Sequence, residues 1–398
     1  MRILQLCNKP PYPPIDGGAM AMHNVTRGLL AAGHTMKVLC IATPKHPLDL
    51  ESMPRAYRRA TRIEGVFVDT SINLVDAFTD LVTADNYNIS RFFSPDMDIR
   101  LIRLLSEERF DVVQLESLFM TPYIPTIRRY SDARIVLRAH NLEHLVQERI
   151  AAGERNPLKK PYRRFLARQL KEYETGVLQR VDGVAAIAPA DAAFFHTQAP
   201  KLPVAVVPFG VDPAEYPTDK AQGHTVFFHL GSMDWLPNEE GVRWLLAQVW
   251  PRVLKAHPNA RLHLAGNRMP RDLMQLEARG VTISGRVRNA MKYMTARHVM
   301  LVPLLSGGGM RVKLIEGMAM GRAVVSTPLG AEGVNCTDGH DILLGRTPTE
   351  FAERMGRLLD DPALVAKLGQ HARRLVETHY SDGHVIATLT AFYRSLAR

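Results

Sequence analysis

Short apolar runs alternate with amphipathic stretches along most of the chain. "RILQLC" reads as a strand, a Pro/Gly loop follows, and "AMAMHNVTRGLLAAG" reads as a helix ended by Gly33. "TMKVLCIA", "DVVQLE", "RIVLRA" and "GVAAIA" are further short strands separated by helical stretches. A passage rich in Pro, Gly and polar residues then interrupts the pattern, which restarts at Thr225 to Leu230 and continues through "ARLHLAG", "VTIS", "HVMLVP" and "AVVST". Two consecutive β-α-β series predict an α/β protein with two parallel sheets, each covered by helices on both faces. The boundary falls near 208–222, which gives domains over 1–207 and 208–380 and a closing helix over 381–398 packing back on the N-terminal domain. No fixed short repeat and no low-complexity segment interrupts this order.

Length and composition agree with that division. The chain has 398 residues, too many for one ordinary core, and 46% hydrophobic content, enough to build two. No apolar run reaches the roughly 18 residues of a membrane span, and "MRILQLCNKPPYPP" has no signal-peptide core. Cys7, Cys40 and Cys336 are too few and too scattered for a disulfide framework or a zinc site, so a cytoplasmic setting is expected.

The net charge of +10 raises the question of nucleic acid. The excess is shared equally, +5 in residues 1–205 and +5 in 206–398, and no recognition helix, zinc finger or aromatic RNA platform accompanies it. Nucleic acid is therefore not an expected partner. The charge is concentrated in "ERNPLKKPYRRFLARQLKEY" (154–173) and recurs at Arg55, Arg58, Arg59 and Arg62. In the first stretch Leu158, Tyr162, Phe165, Leu166, Leu170 and Tyr173 form an apolar stripe, surrounded by Arg155, Lys159, Lys160, Arg163, Arg164, Arg168 and Lys171. Either the helix packs on the core with a solvated charged face, or it meets an anionic membrane surface at the inner face of the membrane.

Ligands of open α/β sheets lie beyond the carboxyl ends of the strands. Three loops there carry chemistry, and two domains of this type facing one another would enclose a cleft at them. Asp16, Gly17 and Gly18 follow the first strand, His140 follows "RIVLRA", and Gly307, Gly308 and Gly309 follow "HVMLVP". A glycine loop before a helix lets the backbone approach a ligand with N–H groups pointing at it. Arg311 and Lys313, in the first turn after it, are electrostatically misplaced by about 0.3–1 kcal/mol each. A bound anion would remove that conflict; a tight turn followed by two solvated cations is the plain alternative. No G-x-G-x-x-G follows the first strand and no Walker A motif occurs, which weighs against a dinucleotide oxidoreductase.

"GGGMRVKLIEGMAMGRAVVSTPLGAEGV" resembles the donor-binding segment of glycosyltransferase family 4, retaining enzymes of the GT-B fold. "PPYPPIDGGAMAMHNVTRGLLAAGHTMKVLC", "LRAHNLE", "VDGVAAIAPADAAFF", "VVPFGVDPAEYP", "HLGSMDWLPNEEGVRWLL" and "ARLHLAG" are similar to successive landmarks of that family. The resemblance covers nearly the whole chain. It implies a hexosyltransferase-type glycosyltransferase that moves a sugar from a nucleotide-diphosphate sugar, bound by the C-terminal domain, to a glycan or lipid-linked acceptor bound by the N-terminal domain. Cell-surface polysaccharide synthesis is the setting it suggests.

In such a transfer negative charge grows on the leaving diphosphate, so donors preorganised there act on the transition state. The glycine N–H groups, Arg311 and Lys313 suit this role. Glu316 lies one turn further along the same face, placed to accept from both ribose hydroxyls, with Gly317 leaving room beside it; the alternative is an ion pair with Lys313. Ser232 is a candidate for the phosphates. Gly17 and Gly18 are candidates for N–H contact with diphosphate or acceptor, and Asp16 for the acceptor hydroxyl unless it only shapes the turn. The resemblance makes His140 a contact to the donor sugar near its anomeric carbon; otherwise it precedes a helix capped by Asn141.

Two departures from the family stand out. Gly308 occupies the position of the first Glu of its Glu-x7-Glu motif, and "GSMDWLPNEEG" lacks the basic pair usual after the first C-terminal strand. Phosphate binding then rests on Arg311 and Lys313, with Arg286 as a further candidate. No acidic metal cluster is evident, so neither metal nor cofactor is expected. A sugar-binding protein that has lost catalysis, or a nucleotide-sugar epimerase, is the competing reading.

Overall fold

The structure, a computed structural model, describes residues 1–69, 89, 92–154, 156–218 and 223–396. It divides into two compact units, Met1–Gly210 together with Asp382–Arg398, and Val211–Ser381. The first crossing lies three residues beyond the boundary expected from sequence, the second one residue beyond.

Unit 1 is built on seven parallel strands: β1 (Arg2–Cys7), β2 (Thr35–Ala42), β3 (Glu64–Phe67), β4 (Val112–Glu116), β5 (Arg134–Ala139), β6 (Gly183–Ala186) and β7 (Val204–Val206). Their order is β3-β2-β1-β4-β5-β6-β7. Unit 2 has six, β8 (Val226–Leu230), β9 (Arg261–Ala265), β10 (Val281–Ile283), β11 (Val299–Val302), β12 (Ala323–Ser326) and β13 (Leu343–Leu344), also all parallel, in the order β10-β9-β8-β11-β12-β13. In both sheets the strand order, not the strand direction, reverses in the middle, between β1 and β4 and between β8 and β11. Central strands are covered on both faces and therefore read as nearly continuous apolar runs. The three strands missing from the sequence pattern, β3, β7 and β13, are all edge strands of two to four residues with incomplete burial.

The first helix, Gly17–Ala31, is capped by Asp16, whose carboxylate accepts from the Ala19 amide at 2.9 Å. The chain then leaves in the left-handed region at Gly33 (φ 80°). The closing helix, Asp382–Leu396, belongs to unit 1: Val385, Ile386, Leu389, Phe392, Tyr393 and Leu396 pack with Ile3, Val25 and Leu29. Gly28 makes that approach possible, since a Cβ there would overlap Ile386.

Candidate functional site

Unit 1 places its candidate residues at the carboxyl ends of β1, β4 and β5, beside the reversal in strand order. Asp16 is committed on two sides, to the Ala19 amide and to Lys9 Nζ at 2.6 Å. Burial alone would raise its pKa, but Lys9 and the Ala19 amide hold it below the ordinary value. Lys9 lies across the glycine turn, its Nζ 3.1 Å from where a Gly18 Cβ would stand. Sequence reading did not single out Lys9; its only signal was a cation seven residues before the Asp-Gly-Gly turn.

His140 directly follows β5. Its Nε2 lies 2.6 Å from Oε2 of Glu116, the last residue of β4, and the imidazole is 13% exposed while the carboxylate is fully buried. Asn141 does not cap the next helix. That helix, Glu143–Gly153, begins after Leu142, and its first amides, of Glu143 and His144, donate to the buried Glu174 carboxylate at 3.1 and 3.2 Å. Burial, with the Glu174 and Asp191 carboxylates nearby, pushes Glu143 up to about 7 against the opposing Asn141 hydrogen bond.

In unit 2 the loops after β8 and β11 meet. Gly307 and Gly309 adopt positive φ (96° and 79°), and a Cβ on Gly307 would come within 2.9 Å of the Trp235 ring. Glycine at 307 is required twice, by conformation and by contact. The helix is shorter than 311–320: it spans Val312–Ala319, and Arg311 is its N-cap residue. The Arg311 side chain turns back, donating to the Gly308 carbonyl at 2.5 Å and covering the Trp235 ring at 4.7 Å. Lys313 stands in the first turn, 40% exposed, with Nζ 2.6 Å from Glu316 Oε2. Glu316 is 6% exposed, and Tyr216 donates to its other oxygen at 3.3 Å.

Three expectations change here. The Lys313–Glu316 pair forms despite its unfavourable order along the helix, because burial of Glu316 leaves few other counter-charges. Gly317 does not leave room for a ligand; a Cβ there would come within 2.6 Å of Met300 Sδ in β11, so its size serves packing of helix on sheet. Ser232 is engaged by Asp234, to which its hydroxyl donates at 2.5 Å. Arg286 is exposed. Gly17 is exposed and Gly18 partly buried at the start of their helix.

Paired doubly wound parallel sheets, with glycine turns and charged side chains at the carboxyl ends of their central strands, define an α/β protein of the GT-B glycosyltransferase type. Residues 15–215 match Glycosyltransferase Family 4 and residues 224–361 match Glycosyl transferases group 1, and the chain belongs to this family. It is 21% identical over 401 residues, 98% of each chain, to an uncharacterized 44.6 kDa protein in the cps region of Klebsiella pneumoniae. Its fold is similar to that of sucrose-phosphate synthase from Thermosynechococcus elongatus (TM-score 0.73, 16% identity, 100% and 99% of the two chains). It is also similar to Anabaena HepE in complex with UDP-glucose (0.65, 14%, 99% and 100%). A third such structure is S. aureus TarM with fondaparinux, alpha-GlcNAc-glycerol and UDP (0.67, 10%, 99% and 100%). The protein is a glycosyltransferase.

Proposed function

We propose that this glycosyltransferase moves a hexose-type sugar from a nucleotide-diphosphate sugar to a glycan or lipid-linked acceptor, with retention of anomeric configuration, in cell-surface polysaccharide synthesis. The observation that carries the donor half is the loop of Gly307, Gly308 and Gly309 running into a helix with Lys313 and Glu316 in its first turns, beside the strand reversal of unit 2. The glycine amides, Arg311 and Lys313 stabilise the departing diphosphate, Ser232 exchanges its Asp234 partner for a phosphate, and Glu316 exchanges Lys313 for the ribose hydroxyls. Unit 1 takes the acceptor at Asp16, Gly17 and Gly18, and His140 meets the reacting sugar. The relative in a cps region and the UDP complexes of HepE and TarM support the choice of setting and donor class. The transfer is metal-independent and cofactor-free on this reading, which the chelator arm of the test below addresses.

One observation favours a second stereochemistry. His140 backed by Glu116 has the arrangement of a base and its orienting carboxylate, suited to taking the acceptor proton during inversion. The test is incubation with UDP-glucose and related sugar nucleotides, with chelator present and absent, and NMR of the product anomer. Retention without added metal is expected. Inversion would select the second reading, and turnover only with metal would remove the metal-free one.

The acceptor is lipid-linked on this reading, and the basic helix Lys159–Val177 supports it. Its apolar stripe is split. Leu170 is buried and the Tyr173 hydroxyl bonds Thr121 at 2.8 Å, whereas Leu158 (87%), Tyr162 (46%) and Phe165 (45%) are exposed. Lys159, Arg164, Arg168 and Lys171 are exposed on the same helix; Arg163 is held by Glu154 at 2.9 Å, and Arg155 lies outside the described residues. Exposed aromatic and aliphatic side chains among cations fit the inner, anionic face of a membrane, each cation contributing about 1 kcal/mol there. No helix among the described residues is long and apolar enough to cross a membrane. Sedimentation with anionic vesicles that falls with salt is expected; equal binding to neutral vesicles, or none, would leave this face solvated.

A further inference from the structure

The contact between His140 and Glu116 is the outermost link of a buried polar chain. Glu116 Oε1 accepts from Gln5 Nε2 at 2.7 Å and from the Gln114 amide. Gln5 in turn accepts from Thr26 Oγ1 at 2.7 Å, and Gln114 from the Tyr393 hydroxyl of the closing helix. Arg138, wholly buried, has Nε 3.7 Å from Glu116 Oε2 and donates Nη1 to the Val207 carbonyl at 3.1 Å. Residues from β1, β4, β5, the first helix and the closing helix thus converge on one carboxylate.

A buried carboxylate costs several kcal/mol of desolvation, and apolar side chains of similar volume hold a core as well. Such a network fixes the orientation of whatever it ends on. We infer that Glu116 is a positioning residue that accepts a hydrogen bond from His140 Nε2–H, fixes the imidazole as the Nε2–H tautomer, and leaves Nδ1 to accept from a substrate hydroxyl. The inference rests on the reading of His140 as a residue that meets the reacting sugar. Its chemistry follows from the inventory of donors. An ionised carboxylate only accepts, so Nε2 must donate, and a neutral imidazole then keeps its lone pair on Nδ1. Burial would favour protonation of Glu116, but His140, Arg138 and Gln5 together hold its pKa below the ordinary value.

The test uses the full chain labelled with ring-15N histidine. Multiple-bond proton–nitrogen spectra at neutral pH report the tautomer, and His140→Gln assigns the signal. A dominant Nε2–H form that becomes a mixture in Glu116→Gln is expected. A dominant Nδ1–H form in the unsubstituted protein would overturn the proposal, a result that needs no variant to fold. With UDP-glucose as the turnover probe, Glu116→Gln is expected to lower kcat about 10- to 100-fold, as loss of an orienting partner does, and to leave donor KM within about twofold. A fixed tautomer with unchanged turnover in His140→Gln would overturn the substrate-facing reading of His140 while leaving the orienting contact itself established. Loss of tautomer control with His140 still required for turnover would overturn the role of Glu116 alone.

Discussion

Two carboxylates carry tests at the scale of single residues. Glu316 is nearly buried, yet its partners are one half-exposed Lys313 and one Tyr216 hydroxyl, an arrangement that ribose hydroxyls can enter by displacing the cation. Glu316→Ala should weaken nucleotide binding by about 1.5–3 kcal/mol, the worth of hydrogen bonds to a charged group. The loss should be equal for UDP and UDP-glucose, because the ribose is common to both. Calorimetry showing unchanged affinity in the folded variant would leave Glu316 as a structural partner of Lys313. Glu143 offers a pH signature. Its folded pKa of about 7 lies above the ordinary carboxyl value near 4.3, so between these pH values the folded protein holds a proton that the unfolded chain has lost. This contribution is full below the window, and stability falls as pH rises through 7, by up to about 3 kcal/mol. Glu143→Gln should flatten that decline in urea titrations at pH 5 and pH 8. An unchanged decline would place the proton elsewhere.

At the scale of elements, the glycine loop and its helix act as one device. Arg311 is a cap residue whose guanidinium holds the Gly308 carbonyl and covers Trp235, whereas Lys313 stands in the first turn. Both side chains sit at the positive end of a helix, a position that favours an anion over either cation. Lys313→Ala should lower kcat about 100-fold with a smaller effect on donor affinity, the pattern for a group acting on charge that develops in the transition state. Arg311→Ala should lower kcat similarly and also raise donor KM, because the loop loses its tie at Gly308. Steady-state kinetics against donor concentration separate the two. Equal KM effects in both variants would mean that Lys313 binds ground state and transition state alike.

For the molecule as a whole, the return of the chain into unit 1 has a large energetic consequence. Leu389 and Tyr393 are fully buried, and Val385, Ile386, Phe392 and Leu396 nearly so. Burying one such side chain contributes about 1.5–3 kcal/mol, so six approach or exceed the roughly 5–15 kcal/mol that stabilises a domain. Truncation after Ser381 should therefore remove the cooperative unfolding transition of unit 1, followed by circular dichroism and proteolysis. A truncated chain that keeps the full transition would show the helix to be a covering element only.

Much of this organisation was legible because buried parallel strands are written as nearly continuous apolar runs and helices as 3.6-residue stripes. The central strands, the two-domain division, the glycine loops and the family resemblance all follow from such local signals. The edge strands β3, β7 and β13 did not, since two to four partly buried residues carry no pattern that a loop lacks. Nor did Lys9 or Glu116. A charged side chain at the end of a strand reads as a solvated terminus, and only the fold reveals that Glu116 faces Gln5, Gln114, Arg138 and His140, up to 111 residues apart. Gly317 and Asn141 show the same limit from the other side, for their roles depend on Met300 and Glu174. Sequence by itself determined which central strands and main helices form, because the burial pattern along an element is a local property. Tertiary structure decided which polar groups share one environment, because hydrogen bonds and desolvation act between atoms that are near in space, whatever their distance along the chain.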